Sequence, residues 1–166
     1  MKYLTKEQVR KSLTEAAGVK DRYYLILLTL SESGLRASEF VALTPQNISF
    51  EGNYLHIVGK GNKIRNVDIS QSLSMQLKLY INEKKIKNKE RIFPFTRQRA
   101  HQIAKRFTGH KTHALRHTYA IHLLRKTKNI KYVQKQLGHS SLATTERYLE
   151  FVEYDQEKEA LNSLYN

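Results

Sequence analysis

Apolar residues recur every three to four positions through most of the chain, and the pattern breaks once, where polarity alternates between residues 48 and 69. Thr5-Lys6-Glu7-Gln8 has the Thr-x-x-Gln form of a capping box. Val9, Leu13 and Ala16 or Ala17 follow at helical spacing until Gly18, which predicts a first helix from about Lys6 to Ala17. Asp21 is placed to cap a second, strongly apolar helix through Leu30, which Ser33-Gly34 stops. A third begins near Ala37 and closes before Pro45.

In the alternating stretch, residues 48–50, 54–58 and 63–69 read as three short strands, because β-branched and aromatic residues interleave with polar ones. Gly52-Asn53 and Gly59-Lys60-Gly61-Asn62 supply the turns. Ser70 or Ser72 then caps a helix to about Lys85, and a lysine run to Lys89 with Pro94 beyond it reads as a connection. Further helices are expected near 96–107, 112–126, 129–136, 141–152 and 155–164. The fold class is therefore α+β, mostly α: one domain of helices around a small three-stranded antiparallel sheet with a basic hairpin. A length of 166 residues suits a single core.

Charge changes this picture. Twenty-nine Lys and Arg against fifteen Asp and Glu give a net +14 and point to a polyanion, with nucleic acid as the first candidate. Beyond Tyr148 the sign reverses. Glu150, Glu153, Asp155, Glu157 and Glu159 outweigh Lys158, so the tail carries −4 and residues 1–148 carry +18. Between Lys84 and Lys111 ten bases meet one acid, Glu90. There is no cysteine, which excludes disulfides and thiolate metal sites. No apolar run is long enough for a membrane span, so the expectation is a soluble, cytoplasmic protein without a membrane partner.

Four places can carry chemistry. Arg36 follows a glycine turn at a helix start, three residues before Glu39, where free backbone N–H groups favour a phosphate; it also reads as a surface arginine. Lys60 stands at the tip of a hairpin between two glycines, with Lys63 as its rival. His113 and Arg116 share a helix face. His113 and His117 have the spacing of a zinc pair, but Ala114 replaces the glutamate of the metalloprotease motif and no metal is expected. His139 lies on the tight connection after Gly138, and Tyr148 follows about two helical turns on. On spacing alone Tyr148 reads as a core aromatic, and its ordinary pKa near 10 makes it a poor nucleophile.

Together, two arginines, two histidines and a lysine can neutralise a phosphodiester in a pentavalent state, and a tyrosine can then attack phosphorus. The motifs Gly-Leu-Arg-Ala-Ser-Glu at 34–39, Gly-Lys-Gly-Asn-Lys at 59–63, His-Ala-Leu-Arg-His at 113–117 and Leu-Gly-His-Ser at 137–140, with Tyr148 nine after His139, resemble those of the tyrosine recombinases, or phage integrase family. The order and spacing look most like the Xer-type branch, and the match spans nearly the whole chain.

The resemblance implies a site-specific recombinase that cleaves and rejoins double-stranded DNA through a 3′-phosphotyrosine, with no cofactor and no metal. Arg36 and Arg116 would hold the scissile phosphate, with His113 and His139 assisting. Lys60 would protonate the leaving oxygen and Tyr148 would attack. Glu39 and His117 would support the arginines, while Lys63, Arg65, Arg97, Arg99, Lys105, Arg106 and Lys111 would contact DNA. It further implies a single catalytic domain over residues 1–166 without the family's N-terminal core-binding domain. A tail helix over 149–166 would dock on a neighbour in a homo-oligomer, a tetramer on DNA and a monomer when free. A DNA-binding module with little catalysis and a type IB topoisomerase-like enzyme are the alternatives.

Overall fold

In a computed structural model of the protein, residues 1–165 are described, without the side chains of residues 153–157. Among the described residues the order is α1 (Lys6–Val19), α2 (Asp21–Ser33), α3 (Ala37–Val41), β1 (Ile48–Ser49), β2 (Tyr54–Val58), β3 (Ile64–Asp68), α4 (Gln71–Glu83), α5 (Arg97–Thr108), α6 (Thr112–Thr127), α7 (Ile130–Leu137), α8 (Leu142–Glu146) and α9 (Leu149–Asn162). The strands form an antiparallel meander in the order β1-β2-β3, pairing Ile48 with Leu55 and Leu55 with Val67. This is the mostly helical α+β fold that the periodicity predicts.

Local signals explain most of the boundaries. Thr5 and Gln8 close the capping box of α1, and the side chains of Ser70, Thr96 and Asn129 accept from backbone N–H groups to start α4, α5 and α7. Asp21 differs from expectation: it is the first residue of α2, after Lys20 at the cap, and makes no cap hydrogen bond. A carboxylate there still meets the positive end of the helix.

The larger difference is at the C-terminus. The expected helix over 141–152 is split at Arg147-Tyr148, and α9 runs unbroken through the gap expected between 152 and 155. Thr144 and Thr145 are weak helix formers, and Tyr148 N–H bonds Thr145 O at 3.0 Å in a tightened last turn that redirects the chain. Of the acidic tail, the side chains of Glu153, Asp155 and Glu157 lie outside the described residues, as does Asn166.

Two apolar clusters build the core. The larger joins α2, the sheet, α4 and α5 around Ile26, Phe40, Leu55, Leu73 and Phe93 and reaches Leu115 on α6. The smaller holds Tyr119, Ile121 and Leu124 of the same helix with Val133, Leu137, Tyr148 and Val152. Helix α6 thus belongs to both clusters. Arg116 and His117 sit on it where one gives way to the other.

Candidate active site

The centre of the site is a buried carboxylate. Glu39 on α3 accepts the Arg36 backbone N–H at 2.8 Å and the Arg36 guanidinium at 3.2 Å. It also takes a two-pronged contact from Arg65 on β3, at 2.9 and 3.0 Å. Arg65 continues to the Gln136 carbonyl of α7 at 2.9 Å, so one carboxylate ties α3, the sheet and α7 together. Burial raises the Glu39 pKa, but the hydrogen bonds and charge of Arg65, with help from Arg36 and Arg116, outweigh it and hold the carboxyl below its usual range. Glu39 is therefore ionised at neutral pH.

Arg116 is held by two helix ends. Its guanidinium donates to the Gly34 carbonyl at 2.6 Å and to the Leu137 carbonyl at 2.8 Å. These oxygens close α2 and α7, where both helices turn through a left-handed glycine, Gly34 at φ 60° and Gly138 at φ 68°. Such carbonyls carry the negative end of the helix dipole, which suits a cation. Burial, then the charge of Arg36, lowers the Arg116 pKa to about 10, so it stays cationic at neutral pH. Arg36 keeps its side chain 41% exposed and is the more accessible of the two.

His139 follows Gly138 directly. Its Nε2 lies 3.3 Å from the Arg116 guanidinium and its Nδ1 lies 2.9 Å from Thr145 Oγ1. Because arginine only donates, Nε2 is the acceptor, and Nδ1 carries the proton that it gives to Thr145. Burial, then the charges of Arg116 and Arg36, pushes the His139 pKa down to about 4, and the ring is neutral.

Tyr148 is 2% exposed and packs in the smaller cluster, so its reading as a core aromatic is correct as geometry. Its hydroxyl nevertheless has a polar partner, His117 Nδ1 at 3.0 Å. Burial, then Arg147, lowers the His117 pKa to about 4, leaving a neutral imidazole that can accept the phenol proton. Burial also raises the Tyr148 pKa, against the pull of Arg116, Arg147 and Arg36. The start of α9 is anchored separately: Arg125 donates to the Phe151 carbonyl at 3.2 Å and to the Tyr3 hydroxyl at 3.3 Å.

The remaining groups surround this centre. Lys60 is exposed in the turn between β2 and β3 and lines, with Arg36 and Glu39, a cavity of about 650 Å³. His113 is exposed one turn before His117 and shares with it, Lys105 and Lys111 a second cavity of about 370 Å³. Lys63, Arg97, Arg99, Lys105, Arg106 and Lys111 are all exposed. Arg99 reaches the Tyr23 hydroxyl at 3.5 Å, and Arg106 lies over the Tyr23 and Phe107 rings. Arg65 departs from expectation: its side chain is buried on Glu39 and not presented to solvent, because an ionised carboxylate inside the domain requires a paired cation.

Sequence reading missed Gln136 and Thr145. Gln136 bonds Asp68 through both ends of its amide, at 2.8 and 3.0 Å, and Thr145 orients His139. Both are ordinary residues whose role exists only after folding, although Thr145 stands close to His139 and Tyr148 in sequence. Among the described residues no group of three or more His, Asp or Glu side chains comes together in a way that could hold a metal ion. Nor is any helix among them long and apolar enough to cross a membrane.

Residues 2–153 match the phage integrase family. The chain belongs to that family. It is 37% identical to the tyrosine recombinase XerA of Pyrococcus furiosus, covering 89% of this chain and 56% of the relative. It is also 37% identical to a tyrosine recombinase of Pseudothermotoga lettingae, covering 98% and 60%. The chain thus spans little more than half the length of these phage integrase family relatives. Among solved structures it resembles XerH site-specific recombinase bound to palindromic difH in a post-cleavage complex, with TM-score 0.81, 26% identity, and 96% of this chain and 52% of that one covered. The catalytic domain of bacteriophage HP1 integrase aligns with TM-score 0.74 and 25% identity over 98% of this chain and 95% of that one.

Proposed function

We propose that this chain is the catalytic domain of a site-specific DNA recombinase that cuts one strand with Tyr148 and passes it to a partner strand. The observation that supports this most is the Tyr148 hydroxyl on a neutral His117, next to an Arg116–His139 pair built from two helix ends. Arg36 and Arg116 take the non-bridging oxygens of the scissile phosphate, where charge accumulates in the pentavalent state. The phenol proton passes to His117 Nδ1 as the tyrosine oxygen forms its bond to phosphorus.

The bond from phosphorus to the 5′-oxygen breaks, and Lys60 supplies the proton for the departing hydroxyl. A 5′-hydroxyl from a partner strand then attacks the phosphotyrosine and gives its proton to the Lys60 amine, while the tyrosine oxygen leaves and takes its proton back from His117. No metal or nucleotide enters this balance. Because Tyr148 is buried, the turn between α8 and α9 has to shift for its oxygen to meet phosphorus. XerH, which this chain resembles, is described bound to its difH substrate, and the proposal extends double-stranded DNA to this chain as its partner. It acts there as a homo-oligomer, in the cytoplasm.

The test is a duplex nicked just 3′ of the cleavage site, so that the short fragment carrying the freed 5′-hydroxyl diffuses away and traps the intermediate. Wild type is expected to form a covalent protein–DNA adduct, with chelator present, and Tyr148→Phe none. Absence of an adduct on duplexes that carry the recombination site of the replicon encoding the chain would overturn the proposal.

A further inference from the structure

His101 has no place in the chemistry above, yet it lies against a group that does. Its ring on α5 stacks on that of His113 on α6, with centroids 5.8 Å apart and planes 21° from parallel. Its Nδ1 is held by Thr112 Oγ1 at 2.9 Å, and Thr112 is itself buried at the first position of α6. The residue that pins His101 is therefore the immediate neighbour of His113. His113, exposed near a helix start, gains from this a flat wall it would otherwise lack. We propose that His101 is a positioning residue that fixes the His113 ring for its contact with the scissile phosphate, a reading that rests on the recombinase assignment.

The surroundings explain why a histidine fits here. Arg97 of α5, Lys111 at the cap of α6 and His117 of α6 are the charged or titratable groups facing the pair, and Lys2, Lys105 and His110 line the adjoining cavity. Burial, then the charges of His113, Lys111 and Arg97, keeps the His101 pKa below the ordinary histidine value. A neutral imidazole can lie flat against His113 while His113 binds an anion, and a cation in its place would compete with His113 for that anion.

Two measurements decide the proposal. The first is single-turnover adduct formation with saturating nicked duplex. His101→Ala is expected to slow it about tenfold to a hundredfold, the effect of losing an aligned catalytic group, with DNA affinity within about twofold of wild type. His101→Phe, which keeps a flat ring, restores most of the rate, and His101→Lys is slower than His101→Ala. In a His113→Ala background, His101→Ala has no further effect, since its role runs through His113.

The second is the NMR signal of the His113 ring, which needs no DNA. The ring-current shift from His101 should vanish in His101→Ala and persist in His101→Phe. Additive losses in the double variant, or a His113 signal indifferent to His101→Ala, would overturn the proposal. If wild type formed no adduct, the recombinase reading would fall while the NMR measurement still decided the stacking.

Discussion

The two sides of the candidate site are built on opposite terms. Around Glu39 each charged or polar group has a partner inside the protein: Arg65 and Arg36 on the carboxylate, Arg116 on two helix-end carbonyls, and the neutral His139 between Arg116 and Thr145. Lys60 stands on an exposed turn, and among the described residues nothing binds its ammonium. Electrostatic stabilisation works when dipoles are aimed before the reaction begins, which favours a rigid, partly dry cradle. In the proposed mechanism the proton donor has to reach an atom that leaves, and an exposed tip suits that task. The cradle is therefore part of the fold, while the tip is an addition to it.

That contrast breaks first at Glu39. Glu39→Ala leaves Arg65 buried without its counter-charge and should destabilise the domain by about 3–5 kcal/mol, measured by urea denaturation, with adduct formation lost as well. Lys60→Ala should do the reverse. Stability stays within about 0.5 kcal/mol of wild type, while the cleavage rate falls by about 10²–10⁴. A substrate with sulfur in place of the leaving oxygen departs as a thiolate and should recover most of that loss. If sulfur restores nothing, Lys60 is not the donor, and Lys63 should be tested the same way.

A smaller effect is expected at Gly138. A Cβ added there would meet Arg65 Cδ at 2.8 Å, on a backbone at φ 68° that side chains disfavour. Gly138→Ala should cost about 1–3 kcal/mol and shift Arg65 on Glu39. Gly61, on the hairpin at φ 71°, has open space around its Cβ position, so Gly61→Ala carries only the backbone penalty of about 1 kcal/mol.

The cradle should also reveal itself in pH dependence. His117 and His139 have folded-state pKa values of about 4, below the ordinary 6.5. As pH falls from 6.5 to 4 the unfolded chain takes up protons that the folded chain refuses, so stability should drop across that window. It should be fully present above it. Glu39, also depressed, adds a further loss as its carboxylate protonates at still lower pH. Melting temperatures measured over this range should fall for wild type and fall less for the variant carrying His117→Gln and His139→Gln.

What could be read in advance follows the same division. Helix and strand positions were legible because capping residues and apolar spacing act locally, as at Thr5-Gln8 and along 54–58. The charged residues of the site stood out by type and spacing, since Arg36, His113, Arg116 and His139 lie in short, unusual strings. What stayed hidden depends on distant segments meeting. Arg65 and Glu39 are 26 positions apart, and Gln136 bonds Asp68 from 68 positions away. Nothing in the local sequence marks Arg65 as different from Lys63, two residues before it on the same hairpin.

That pair gives the finest test of the contrast. Lys63 is exposed, and among the described residues its backbone carbonyl alone makes a hydrogen bond, accepting the Gly59 N–H at 2.7 Å. Lys63→Ala should leave melting unchanged and weaken DNA binding uniformly across sequences, lowering the slope of log affinity against log salt by about 1, the loss of one phosphate contact. Arg65→Ala should instead unfold the domain at milder denaturant, because the Glu39 carboxylate would be stranded. A salt slope that changed for Arg65→Ala with stability intact would mean that this arginine leaves Glu39 for DNA, and the cradle would then be a state the free chain adopts and the complex gives up.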